Sequence, residues 1–290
     1  MNAQLVASCL GLALTTCDMY FTRKEEKALV WSSPLRFTMV KMLYILSKYS
    51  GLACQLHNVS LSVYWKYQYA TTPPRQSCES DLALKIFEHH FLLTTLHIIL
   101  MLRVYALYYK SFKIGLLLIS IFALRLFAAI WSFINYWEIY KVQFNYICFP
   151  TEPAVLKPGM TVYIIAEVLF QTVIHTLVSK KTWMLPSTWS KTPTLTSIVT
   201  KDGFYVFFAV FVGTLAAVVS TYKRTAILLF CHPLFNFMIP YACCRIIMRL
   251  QRLGNEEARA GFQAEARGQD PVFSTVGSPW EVQTFPGSEP

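Results

Sequence analysis

The sequence predicts an all-α fold: a bundle of seven transmembrane helices, with the N-terminus outside and the C-terminus cytoplasmic. Three observations lead there. Seven apolar stretches follow one another along 290 residues: Leu5–Met19, Phe37–Val63, Leu82–Leu107, Ile114–Trp137, Thr161–Val178, Phe204–Thr221 and Thr225–Ile247. Hydrophobic residues make up 54% of the chain and charged residues only 14%, against about 25% charge in a typical soluble domain. The charges collect in the gaps between the stretches, where a bundle has its loops. A hydrocarbon core about 30 Å thick is crossed by roughly 20 apolar helical residues. In lipid the backbone must satisfy its hydrogen bonds within the segment, so such spans are α-helices. The alternating segments of a membrane β-barrel do not occur.

The first stretch is the shortest, with Asp18 near its inner end. A cleaved signal peptide is the alternative there. It requires a basic n-region, and Met1-Asn2-Ala3-Gln4 supplies no Lys or Arg. The later stretches meet the length requirement more comfortably, and two prolines, Pro233 and Pro240, interrupt the last. Each removes a backbone donor and bends the helix, with Asn236 expected to supply a replacement hydrogen bond. Residues 1–253 thus form the membrane domain. Residues 254–290, rich in Gly, Pro, Ser, Gln and Glu, are expected to be a disordered cytoplasmic tail.

Orientation follows from Lys and Arg in the short loops. One face carries Arg23, Lys24, Lys27 and Arg36, then Lys110 and Lys113, then Lys180, Lys181, Lys191 and Lys201, then Arg245, Arg249 and Arg252. The other carries Lys66, Arg75, Lys141, Lys157, Lys223 and Arg224. The richer face is the cytoplasmic one. The net charge of +10 is then a matter of topology and of attraction to anionic inner-leaflet lipid. The expected partners are the bilayer and a cytoplasmic signalling protein at the inner loops. No nucleic-acid partner is expected, because no basic soluble domain exists to hold one. The membrane is the plasma membrane or an endomembrane.

Cys78 precedes the third span and Cys148 lies in the long outer loop before the fifth. Both face the oxidising side, where disulfides persist, and a Cys78–Cys148 bridge is expected. Cys243 and Cys244, at the inner end of the last span, are lipidation candidates, with plain helix packing as the alternative. Asn58-Val59-Ser60 has the form of a glycosylation acceptor but lies at or within the second span.

Polar residues inside spans are costly unless paired or hydrated, so they mark candidate binding positions: Glu88, His89, Arg125, Glu167, Gln171 and His175. Glu167, Gln171 and His175 fall four apart and share one helix face. Arg125 lies at a depth compatible with Glu167, and a buried Arg125–Glu167 pair is expected. His90, His97, His232 and Asn236 are further polar positions. No metal and no cofactor is expected: no His-x-x-x-His pair is present, and zinc usually takes three protein ligands. No lysine lies inside the seventh span to form a retinal Schiff base. Neither a P-loop, a Gly-x-Gly-x-x-Gly nor a Gly-x-Ser-x-Gly elbow occurs, so no catalytic residue is assigned.

The first loop adds a resemblance. Asp18-Met19-Tyr20-Phe21-Thr22, then Glu26, Trp31-Ser32-Ser33-Pro34, Lys41-Met42-Leu43-Tyr44 and Lys48-Tyr49 resemble the block of the fungal domain of unknown function 6533 over Cys9–Cys54. Met19 stands where that family has a tyrosine, and Lys48 where it has an arginine. Arg103-Val104-Tyr105-Ala106-Leu107-Tyr108 is similar to the family's motif at the inner end of the third span. The resemblance implies a multi-pass membrane protein of higher fungi and no stated activity. Within the block, Pro34 is expected to start the second helix, Glu25 and Glu26 to pair with Arg23, Lys24 or Lys27, and Asp18 to meet Lys41.

A receptor-like seven-helix sensor is the leading functional expectation. Seven spans, an outer disulfide, Arg103 at the inner end of the third span and a kinked seventh span resemble the layout of a G-protein-coupled receptor, although Leu102 precedes Arg103 where an acid would stand. The alternatives are a transporter or channel using the polar positions as a path, and an intramembrane metal-dependent hydrolase.

Overall fold

The computed structural model describes residues 2–31, 38–68, 75–139, 158–183, 208, 211–213 and 227–266. Among these residues the chain is all-helical. Its long helices are α1 (Asn2–Leu29), α2 (Met39–Gln68), α3 (Arg75–Leu107), α4 (Phe112–Ile139), α5 (Pro158–Trp183) and α6 (Ile227–Ala266). Four contain segments long and apolar enough to cross a membrane: Gln4–Leu29, Gln76–Leu107, Phe112–Asn135 and Thr161–Lys181. The sixth predicted stretch, Phe204–Thr221, lies mostly outside the described residues, with helix at Phe208 and at 211–213.

α2 falls outside that apolar set for a structural reason. Its polar residues Lys41, Lys48, Gln55 and Asn58 are buried inside the bundle, while Met39, Met42, Leu46 and Leu56 face outward. α4 shows the same inversion: Arg125 is buried, and Leu116, Ile119, Leu124, Phe127 and Ile130 are exposed. A water-soluble helix presents the opposite pattern.

Two boundaries differ from the sequence expectation. α1 runs on past Met19 to Leu29, so Thr22 and Glu26 sit on helix rather than loop. α6 continues through 254–266, where the tail was expected to begin. That stretch, Gly-Asn-Glu-Glu-Ala-Arg-Ala-Gly-Phe-Gln-Ala-Glu-Ala, is dominated by good helix formers. The rest of the expected tail, 267–290, lies outside the described residues, as do Pro34 and most of the long outer loop.

Side-chain contacts define the order of the bundle. Ser8 meets Ser62 at 3.3 Å and Glu26 meets Lys48, so α1 and α2 are antiparallel. Asp18 with Arg245 and Glu25 with Arg252 run α6 parallel to α1. α3 and α4 are joined by a tight turn in which Tyr109 and Lys110 take φ of 53° and 58°. That left-handed conformation is unfavourable for non-glycine residues. It is held by Lys110 N donating to Tyr105 O at 3.1 Å and by the Lys181 ammonium, 4.9 Å from the Tyr109 ring centroid. The apolar core runs between the helices through Tyr44, Leu92, Leu96, Phe170, Ile239 and Ile246.

α2 and α6 lie close together at Pro240. A Cβ on Gly51 would stand 2.5 Å from Pro240 Cγ, so only glycine fits there. Gln55 Nε2 donates to the Pro233 carbonyl at 2.7 Å. The Asn236 amide, expected to supply a replacement bond, makes none to the helix backbone among the described residues.

Candidate functional site: buried charge clusters between the helices

The expected Arg125–Glu167 pair is present. Arg125 Nε donates to Glu167 Oε2 at 2.9 Å, and the two residues are only 1% and 3% exposed. α4 and α5 are antiparallel here, and Gly159 lets them close up near Ser132. Around the pair stand groups from α3. Arg125 Nη1 donates to Thr94 Oγ1 at 3.0 Å. His97 Nε2 lies 3.0 Å from Glu167 Oε1 and 2.7 Å from Gln171 Nε2. The tautomer of His97 decides whether this nitrogen donates to Glu167 or accepts from the Gln171 amide. Phe170 covers the His97 ring at 4.5 Å between centroids. One acid and one guanidinium, ringed by neutral polar groups, thus tie three helices together. Arg125 Nη2, His97 Nδ1 and Gln171 Oε1 are buried with donor or acceptor capacity to spare among the described residues.

The six candidate positions do not form one cluster. Glu88 belongs to a separate pair, its Oε1 standing 2.9 Å from Nδ1 of His57 on α2. It lies nine residues before His97, about 14 Å along α3 at 1.5 Å per residue. The physical reason is the pitch of α3, which sets Glu88 toward α2 and His97 toward α5. His89 packs edge-on against Phe235 of α6 at 5.6 Å. His175 continues the Glu167–Gln171 stripe one turn on, half-buried. Thr94, His97 and His57 were absent from the candidate set. One helix's spacing does not reveal which neighbour each face meets.

A third cluster lies at the end of the bundle where α1 finishes and α2 starts. Lys48 pairs with Glu26, and its Nζ also reaches Tyr44 Oη at 3.3 Å and Thr22 Oγ1 at 3.5 Å. Trp31 Nε1 donates to Glu26 Oε1 at 3.2 Å, and Lys41 Nζ sits 5.2 Å from the centroid of that indole. Asp18 faces Arg245 of α6 at 3.8 Å. Asp18, Thr22 and Glu26 fall four apart on α1, and Lys41, Tyr44 and Lys48 share one side of α2. These partners replace the expected ones. Glu26 reaches across to α2 rather than to Arg23, Lys24 or Lys27, Glu25 pairs with Arg252, and Asp18 meets Arg245 rather than Lys41. The correction follows from the longer α1, which carries these acids up a helix face and out of a loop.

Cys78 is disulfide-bonded; Cys148 lies outside the described residues. Cys9, Cys17, Cys54, Cys231, Cys243 and Cys244 form no disulfide. The lipidation candidates Cys243 and Cys244 are 0% and 3% exposed and pack in the core, where an acylating enzyme has no access. Asn58 is likewise buried, donating to the Cys54 carbonyl at 2.8 Å. Among the described residues no three His, Cys, Asp or Glu side chains gather as a metal site.

No family model, no curated protein and no solved structure matches this chain.

Proposed function

We propose that this chain is a seven-helix integral membrane protein, N-terminus outside, acting as a receptor-like sensor. The observation that carries the reading is the closed Arg125–Glu167 pair, with His97 and Thr94 from α3 completing it. A buried ion pair between helices is a device with two states, joined and separated, and parting it is costly. The spare polar capacity around it suits a polar ligand group. The inverted exposure of α2 and α4 supports lipid as the surroundings, α2 and α6 being spans whose polar residues turn inward. The resemblance to domain of unknown function 6533 rests on residues from the end of α1 to the start of α2, and its Asp18, Thr22, Glu26, Trp31, Lys41, Tyr44 and Lys48 come together in the third cluster. Cys78 is disulfide-bonded, and we retain the expected Cys78–Cys148 pairing; a peptide map finding Cys148 as a thiol would remove it.

The membrane reading is tested by alkaline carbonate extraction, in which the protein is expected to stay in the pellet. The sensor reading is tested with purified protein in lipid discs and a heterotrimeric G protein. Glu167→Gln opens the clasp and is expected to raise basal guanine-nucleotide exchange above wild type; unchanged exchange would count against it. A second reading, a proton-coupled transporter, has its own support. His57–Glu88 and His97–Glu167 are two protonatable pairs spaced along α3. Proton flux into proteoliposomes that vanishes in Glu167→Gln would establish that reading instead.

A further inference from the structure

A second buried acid, Glu88, stands between α2, α3 and α6, 7% exposed. His57 Nδ1 occupies its Oε1 side at 2.9 Å. Its Oε2 is buried with no hydrogen-bond partner among the described residues. The nearest cation on the same helix is engaged elsewhere, since Lys85 bridges to Asp81 at 2.6 Å. With His57 and the nearby His232 of α6 neutral, two acids face one cation. A buried carboxylate whose charge is not compensated is costly.

α6 brings oxygen to the same place. The Asn236 side chain faces the Glu88 carboxyl, and the residue is 0% exposed. Neither its Oδ1 nor its Nδ2 lies within hydrogen-bond geometry of any group among the described residues. Pro240, one turn on, has no N–H, so the Asn236 carbonyl loses its helical donor. That carbonyl turns toward α2, where a Cβ on Gly51 would stand 3.6 Å from it. A carboxylate oxygen, an amide oxygen and a freed carbonyl are all hard donors. Carbonyls released at a helix break suit an alkali cation.

We infer that Glu88 and Asn236 form a binding site for a sodium ion between α2, α3 and α6. One free carboxylate balances one positive charge, whereas a divalent ion would carry its excess into the core. The close approach of α2 and α6, where a Cβ on Gly51 would meet Pro240 at 2.5 Å, suits the smaller alkali ion. Bound there, sodium ties the kinked α6 to α3. The site is separate from the Arg125 clasp and holds whether the bundle acts as a sensor or as a transporter.

The test reads the thermal midpoint of full-length protein in a neutral detergent at about pH 8, where an ordinary imidazole is neutral. Sodium chloride replaces choline chloride at constant ionic strength. A saturable rise with sodium is expected, and a smaller one with potassium at equal concentration. Glu88→Gln keeps the shape of the side chain and is expected to abolish the sodium-specific rise. Asn236→Ala is expected to move the titration to roughly tenfold higher sodium, the loss of one ligand to a charged centre. Asn236→Asp adds a carboxylate and is expected to move it to lower sodium, a gain that misfolding does not mimic. A midpoint indifferent to sodium would assign the pocket to water and overturn the inference. So would equal rises with potassium and sodium, or a Glu88→Gln protein that titrates like wild type.

Discussion

The Arg125 network and the Lys48 cluster both set an acid against a base between helices, yet they balance charge differently. Around Arg125 there is one acid, one guanidinium and a ring of neutral groups, all buried except the half-buried Thr94. Around Lys48 the buried pair with Glu26 grades outward into half-exposed pairs, Asp18 with Arg245 and Glu25 with Arg252. Taking an ion out of water costs several kcal/mol, and only a close partner with its own hydrogen bonds repays that. Where the surroundings are driest the charges are therefore matched one to one. Toward the exposed end of the bundle, water tolerates longer and more open pairs. Depth, more than residue type, decides which polar residues hold the bundle together and which stay available to a ligand.

The comparison can be broken at either end. The largest effect is expected from Glu167→Ala, which strands Arg125 in the core. Loss of one partner of a buried pair costs about 3–5 kcal/mol, read as a collapse of the thermal midpoint in detergent. Lys48→Met is expected to cost less, about 1.5–3 kcal/mol, because Glu26 keeps its hydrogen bond from Trp31. Gly51→Ala presses a methyl into the Pro240 ring and is expected to cost about 1–3 kcal/mol by overpacking; Gly51→Ser should do no better. Arg252→Gln removes an exposed pair and should cost about 0–1 kcal/mol, falling to nothing at high salt. A cost for Arg252→Gln as large as that for Glu167→Ala would show that depth does not set the balance.

The sequence made some of this legible. A lone arginine within an apolar span must find an acid, and Glu167 stood at a matching depth, so the Arg125–Glu167 pair could be named. His97 and Thr94 could not be placed, because the rotation of α3 against α4 and α5 is a tertiary property that no single helix's spacing records. The Glu26–Lys48 pair was hidden by the end of the apolar run at Met19. Charges beyond that point read as loop, whereas α1 continues for ten more residues to Leu29. In α2 the polar residues diluted the apolar signal because they turn inward. The burial of Cys243 and Cys244 depended on which side of α6 meets α2.

The most direct test is a double-mutant cycle of thermal stability in detergent on Arg125→Met, Glu167→Met and the pair together. The account predicts that the double variant is more stable than either single one, since removing both charges leaves no ion stranded. Additive losses would contradict it, because Arg125 and Glu167 would then be uncoupled.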